Sequence, residues 1–140
     1  MDRKATTFKI SEKAYNLFQQ KVLADKITYY NLTKQKVNLS VTRVVNAYLY
    51  LYIHNKLKLN FDIGDIVDNN ALKGIELERE VLIEAKKVLI EEEIRNNDNP
   101  YPRGISGLIG RIMQTYLRMD FREVISKVLE WEKLAGEGKK

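Results

Sequence analysis

Near the amino terminus of the chain stands one short strand with no hairpin neighbour. Lys4–Ser11 reads KATTFKIS, with Thr6, Phe8 and Ile10 on one face and Ala5, Thr7 and Lys9 on the other, Arg3 in line with the second set. The residues that follow, EKAYNLFQQKV, have the apolar rhythm of a helix. An isolated strand leaves a row of backbone donors and acceptors unpaired. The fold must therefore supply a partner strand from elsewhere.

Reading the chain against itself finds one. After the first strand comes an amphipathic helix from about Glu12, with Ala14, Tyr15, Phe18, Val22 and Leu23 as its apolar positions. A polar stretch, DKITYYNLTKQKVN, leads to a second helix that starts near Ser40, a good N-cap. Sixty-seven residues on, GIELEREVLIEAKKVLIEEE lies over TFKISEKAYNLFQQKVLADK, so that Phe8 falls on Ile75, Ile10 on Leu77, Ala14 on Val81, Val22 on Leu89 and Leu23 on Ile90. A second polar stretch, IRNNDNPYPRG, contains both prolines and precedes another apolar helix. With one more residue of offset, TRVVNAYL lies over GRIMQTYL, placing Arg43 on Arg111 and Tyr48 on Tyr116.

The expected fold is mostly α with a two-stranded antiparallel β-ribbon, a β-α-α unit repeated, plus a C-terminal helix. Residues 1–58 form the first unit, 59–72 a linker, 73–119 the second unit, and 120–140 an amphipathic helix with a fraying tail. Phe121, Val124, Ile125, Val128, Leu129 and Trp131 are the apolar positions of that last helix, free to pack on the chain itself or to dock a neighbouring molecule. Neither unit carries enough core to fold alone, so the two are expected to close over one core as a pseudo-dimer.

TFKIS, followed by a helix and by LSVTRVVNAYL, resembles the ribbon-helix-helix DNA-binding family, and the duplicated unit resembles its tandem members, including archaeal viral transcription regulators. The resemblance covers about residues 3–58 and 73–119. It implies a ribbon that enters the major groove of double-stranded DNA and second helices whose N-termini hold phosphates. On that resemblance Thr7 and Lys9 take the central outward positions, with Arg3 and Ala5 upstream, as base readers. Their chemistry suits base edges: lysine donates to guanine O6 and N7, and the threonine methyl meets the thymine methyl. Ser40, Thr42 and Arg43 are expected on phosphate, with Arg103, Ser106 and the amide of Gly107 at the matching place in the second unit. Lys4, Lys34 and Lys36 would add backbone contacts, the last two beside Tyr29 and Tyr30 in the first inter-helix stretch. The outward positions of the second strand, Gly74 and Glu76, flanked by Lys73 and Glu78, suit DNA less well. The chain departs from the family in its long polar stretches between helices; either the first helix is extended or these loops have a further use.

Charge agrees with a polyanionic partner for the first unit. Residues 1–70 hold 11 Lys and Arg against 6 Asp and Glu, whereas residues 71–140 hold 13 of each. A lysine-rich solvated surface is the simpler account of the charge alone. No cysteine, no long apolar run and no apolar leader appear, which points to an intracellular protein, in host cytoplasm if viral, with no membrane partner. Enzymatic chemistry has little to stand on: His54 is alone, Glu91–Glu93 has no ligand partner, and Gly104, Gly107 and Gly110 lack a dinucleotide pattern. No cofactor, metal site or catalytic residue is expected. The leading expectation is a sequence-specific transcription regulator, repressor or activator, that self-associates on DNA through the C-terminal helix or the long inter-helix stretches. The alternative is a structural or protein-interaction module, antitoxin-like or a virion scaffold, that keeps the fold without reading DNA.

Overall fold

In the computed structural model, residues 3–59, 71–95 and 104–136 are described, with the backbone alone for Arg3 and Lys4. The chain is mostly helical, with five helices and one two-stranded antiparallel sheet among these residues. In order they are β1 (Arg3–Ile10), α1 (Glu12–Thr33), α2 (Val41–Ile53), β2 (Ala71–Glu78), α3 (Arg79–Arg95), α4 (Gly104–Leu117) and α5 (Phe121–Ala135).

β1 finds its partner in β2. Arg3 lies opposite Glu78, Thr7 opposite Gly74 and Ile10 opposite Ala71. Alternation then decides which side chains enter the core. Phe8 and Ile10 from β1, and Ile75 and Leu77 from β2, are buried beneath the ribbon. Under them lie Phe18 and Val22 of α1, Val44, Val45 and Tyr48 of α2, Ile109, Ile112 and Tyr116 of α4, and Trp131 of α5. Asn46 ties α2 to the ribbon: its amide nitrogen donates to the Glu76 carbonyl at 2.8 Å, and its side-chain oxygen accepts from the Glu78 N–H at 2.9 Å.

Helix α1 runs much further than the first apolar rhythm suggests. Ser11 caps its start, accepting from the Ala14 N–H at 3.2 Å. Residues 25–33, read from sequence as part of a polar connection, form its last turns, so Tyr29 and Tyr30 are helical and only the short stretch from Lys34 to Ser40 links α1 to α2. Asp25 lies buried within this extended helix and accepts from Lys21 Nζ and from the Tyr116 hydroxyl, both at 2.7 Å. A carboxylate that would open a loop on composition instead anchors the helix to α4. The buried stripe therefore reads Ala14, Phe18, Val22, Asp25, and Leu23, expected inside, is exposed. Its counterpart Ile90 is exposed as well.

Two other elements complete the picture. Of the two uses open to the stripe of α5, the structure shows packing within the chain: Val124, Ile125, Val128 and Trp131 are buried and the helix packs on α2 and α1. Leu129, assigned to that stripe, faces outward. Helix α4 begins at Gly104, which has the positive φ of 77° that glycine tolerates, so Ser106 sits inside the first turn rather than capping it. Arg103, most of the linker 59–72 and the last residues of the tail lie outside the described residues. No helix among those described is long and apolar enough to cross a membrane.

Candidate nucleic-acid interface

The ribbon has one face in the core and one bare. On the bare face β1 presents Ala5, Thr7 and Lys9, and β2 presents Leu72, Gly74 and Glu76, all exposed. Register sets them in rows: Ala5 beside Glu76, Thr7 beside Gly74, Lys9 beside Leu72. The result is a ridge with a cation on one strand, an anion on the other, and a glycine at its centre. A Cβ built on Gly74 meets nothing within 4 Å, so the centre of the ridge is open.

Leu72 was missed in the sequence because β2 was expected to begin at Lys73; it begins at Ala71 and brings Leu72 out, 71% exposed. The two residues expected to flank the outward pair do not share its face. Lys73 turns toward α1, 3.7 Å from Glu12 and over the ring of Tyr15, and Glu78 is buried where the strand meets α3.

The N-terminus of α2 is built as its sequence implies. Ser40 is extended and its hydroxyl accepts from the Arg43 N–H at 3.2 Å. The amides of the first turn have no partner within the helix, so this end favours an anion. Thr42 stands there half-buried. Arg43 does something else. Its Nε donates to the Asn38 carbonyl at 2.9 Å, its Nη2 lies 3.0 Å from Glu132, and the guanidinium sits over Trp131. It braces the turn before α2 against α5 instead of reaching outward. Ser106 and Gly107 are half-buried in the first turn of α4.

Lys34 and Lys36 are exposed in the α1–α2 connection, Lys34 with the positive φ of a helix C-cap. His54 closes α2, its Nδ1 2.9 Å from the Tyr50 carbonyl and its ring stacked on Tyr50. Among the described residues no cluster of His, Asp and Glu has the arrangement of a metal site.

Behind the ribbon, Tyr48 and Tyr116 occupy the core, ring centroids 5.8 Å apart. Burial pushes the Tyr48 hydroxyl pKa upward, and the Asp25 charge adds to this. Burial also raises that of Tyr116, helped by its hydrogen bond to Asp25. Both are neutral donors at ordinary pH: Tyr116 to the carboxylate, Tyr48 to the Met119 sulfur at 3.1 Å. Neither Asp25 nor Asn46 was singled out from sequence. Asn46 did leave a signal, as a lone amide in the apolar run VVNAYLYL.

No known family model matches the chain, and no curated protein or solved structure is significantly similar to it.

Proposed function

We propose that the chain is a tandem ribbon-helix-helix protein that lays the bare face of its ribbon into the major groove of double-stranded DNA and regulates transcription from the site it occupies. The observation that carries this reading is the register of the ribbon. The internal match offsets the chain by 67 residues, which sends Thr7 to Gly74, and those two residues are cross-strand partners. The same offset sends Ala5 to Leu72 and Lys9 to Glu76, so the three outward residues of one strand map onto the three of the other. A pseudo-twofold axis through the Thr7–Gly74 pair accounts for this. The element order β1-α1-α2 then β2-α3-α4, and the burial of Tyr48 and Tyr116 at matched places, support the duplication further.

A two-stranded ribbon fits the width of the major groove. In this reading Thr7 and Lys9 read base edges, with Ala5 and Arg3 beside them, and Leu72 adds an apolar contact suited to a thymine methyl. Ser40, Thr42 and the first amides of α2 hold a phosphate on one side; Ser106 and Gly107 occupy the matching place on the other, and Arg103, outside the described residues, is assigned there from the sequence alone. Arg43 supports the first of these sites from behind. Lys4, Lys34 and Lys36 extend the basic footprint. Glu76 opposes phosphate, so β1 reads and β2 mainly completes the ribbon. One ribbon spans few base pairs, so useful specificity calls for several chains on adjacent sites.

Titration of fluorescent random-sequence duplex DNA at several salt concentrations tests the reading, with the natural chain and with Thr7→Ala/Lys9→Ala. The expected result is binding that weakens steeply with salt and further with the double change. Absence of binding even at low salt would make the ribbon a structural seam and favour a protein-interaction module.

A further inference from the structure

We propose that the bare face of the ribbon reads a directional site, one whose two ends differ, and that Glu76 sets the direction by excluding guanine from its own end. The inference rests on the DNA reading above and adds to it the kind of sequence the ribbon accepts.

The pseudo-twofold axis through the Thr7–Gly74 pair exchanges the two ends of the ridge. It sends Lys9 to Glu76 and Leu72 to Ala5. Register puts Lys9 beside Leu72 at one end and Glu76 beside Ala5 at the other. One end therefore offers a cation and a large apolar side chain. The other, related to it by the axis, offers an anion and a methyl group. All four side chains are exposed. Neither Lys9 nor Glu76 has an ion pair among the described residues, and their two rows stand about 13 Å apart along the ribbon, so neither charge cancels the other. The ion pair that β2 does make, Lys73 with Glu12, is on the inward side. The side chain of Arg3 lies outside the described residues and takes no part in the comparison.

A palindromic site offers the same base edge to both ends of the ridge. Two identical strands would suit that, and these strands do not. A guanine facing Lys9 accepts from the ammonium through O6 and N7. In a palindrome a second guanine then faces Glu76, where acceptors meet a carboxylate in the groove with no donor between them. The opposite palindrome, with cytosine at both places, gives Glu76 an N4 amino group to accept from and sets the same amino group against Lys9. Neither palindrome satisfies both ends.

The site that does has guanine toward Lys9 and cytosine toward Glu76. The axis of the ridge also exchanges the strands of the duplex, so that cytosine lies on the strand opposite the first guanine. Its paired guanine is then on the same strand as the first, about four base-pair steps away. Phosphates carry no such information, so contacts at the helix N-termini admit both orientations and the bases decide between them. Glu76 contributes discrimination without adding affinity, which is what a repulsive group does for specificity.

Selection from duplexes with a randomised centre, at low salt with the full chain, tests the proposal, followed by titration of two defined duplexes. The natural chain should select both guanines on one strand. It should bind such a duplex about tenfold more tightly than the palindromic counterpart with one guanine on each strand. Glu76→Ala should keep guanine at the Lys9 end, lose the choice at the other, and bind the two duplexes alike. Glu76→Lys should select the palindrome. Lys9→Ala should retain only the exclusion of guanine at the Glu76 end. Circular dichroism verifies each fold, and Glu76→Ala, which only trims an exposed side chain, reads the exclusion even where the charge reversal disturbs the ribbon. A palindromic motif for the natural chain overturns the proposal, as does a motif that Glu76→Ala leaves unchanged. Salt-sensitive binding with no motif overturns it and leaves the DNA reading standing; absence of binding at low salt removes both.

Discussion

β1 and β2 make the same contribution to the inside of the molecule and opposite ones to the outside. Inward, Phe8 and Ile10 are matched by Ile75 and Leu77, all buried. Outward, Ala5, Thr7 and Lys9 face Leu72, Gly74 and Glu76. The core tolerates only apolar groups of suitable shape, so both strands meet the same demand there. The bare face has no such demand from folding, and there the strands differ in charge. The seams below the ribbon differ too. Asn46 of α2 bonds twice to β2, whereas Gln114, its counterpart on α4 in the internal alignment, accepts from Arg111 on its own helix at 3.4 Å.

Mutation of the seams gives the largest expected contrast. Asn46→Ala leaves the Glu76 carbonyl and the Glu78 N–H without that partner and should cost about 2–4 kcal/mol in urea unfolding, against less than about 1 kcal/mol for Gln114→Ala. Equal losses would mean that the two seams are equivalent in energy. Next come the tyrosines. Tyr116→Phe removes a hydrogen bond to a carboxylate and should cost about 1.5–3 kcal/mol, while Tyr48→Phe, which loses only a thioether acceptor, should cost under about 1 kcal/mol.

Alkaline pH acts on the same pair. Burial raises both hydroxyl pKa values in the folded chain above the ordinary 10.0, so the unfolded chain loses these protons first. Their contribution to stability is complete below pH 10.0 and should decline as pH rises above it, and the decline should be shallower in either Phe variant. A stability that holds constant through alkaline pH would contradict this burial.

The smallest contrast lies on the bare face, under the proposed DNA reading. Lys9→Ala should weaken duplex binding about tenfold and lower the salt slope by about one, and Glu76→Ala should leave affinity unchanged or raise it. Glu76→Lys sharpens the comparison, since a second cation at the place matching Lys9 should raise affinity and the salt slope together. Losses of equal size at Lys9 and Glu76 would show that both strands read.

What was legible in the sequence was local. The alternation of TTFKI set the inner and outer faces of β1, and Ser40 before VTRVV marked the start of α2, because a strand face and a helix cap depend on near neighbours. What escaped depends on residues far apart in the chain. Asp25 looks like the opening of a loop until Tyr116, ninety-one positions on, is seen to donate to it. Arg43 looks like a phosphate ligand until Glu132 and Trp131 close on it from α5. Leu72 was lost by a two-residue error in where β2 begins, and such boundaries are the least determined part of any periodic pattern.

Both strands of the ribbon belong to one polypeptide, and that has a consequence for how the molecule fares when scarce. Ribbon closure is a first-order event, so a single copy holds its ridge at any dilution, with no monomer–dimer equilibrium to satisfy first. It also frees inheritance from symmetry. A substitution at Lys9 need not be repeated at Glu76, so each edge of the ridge can be revised alone.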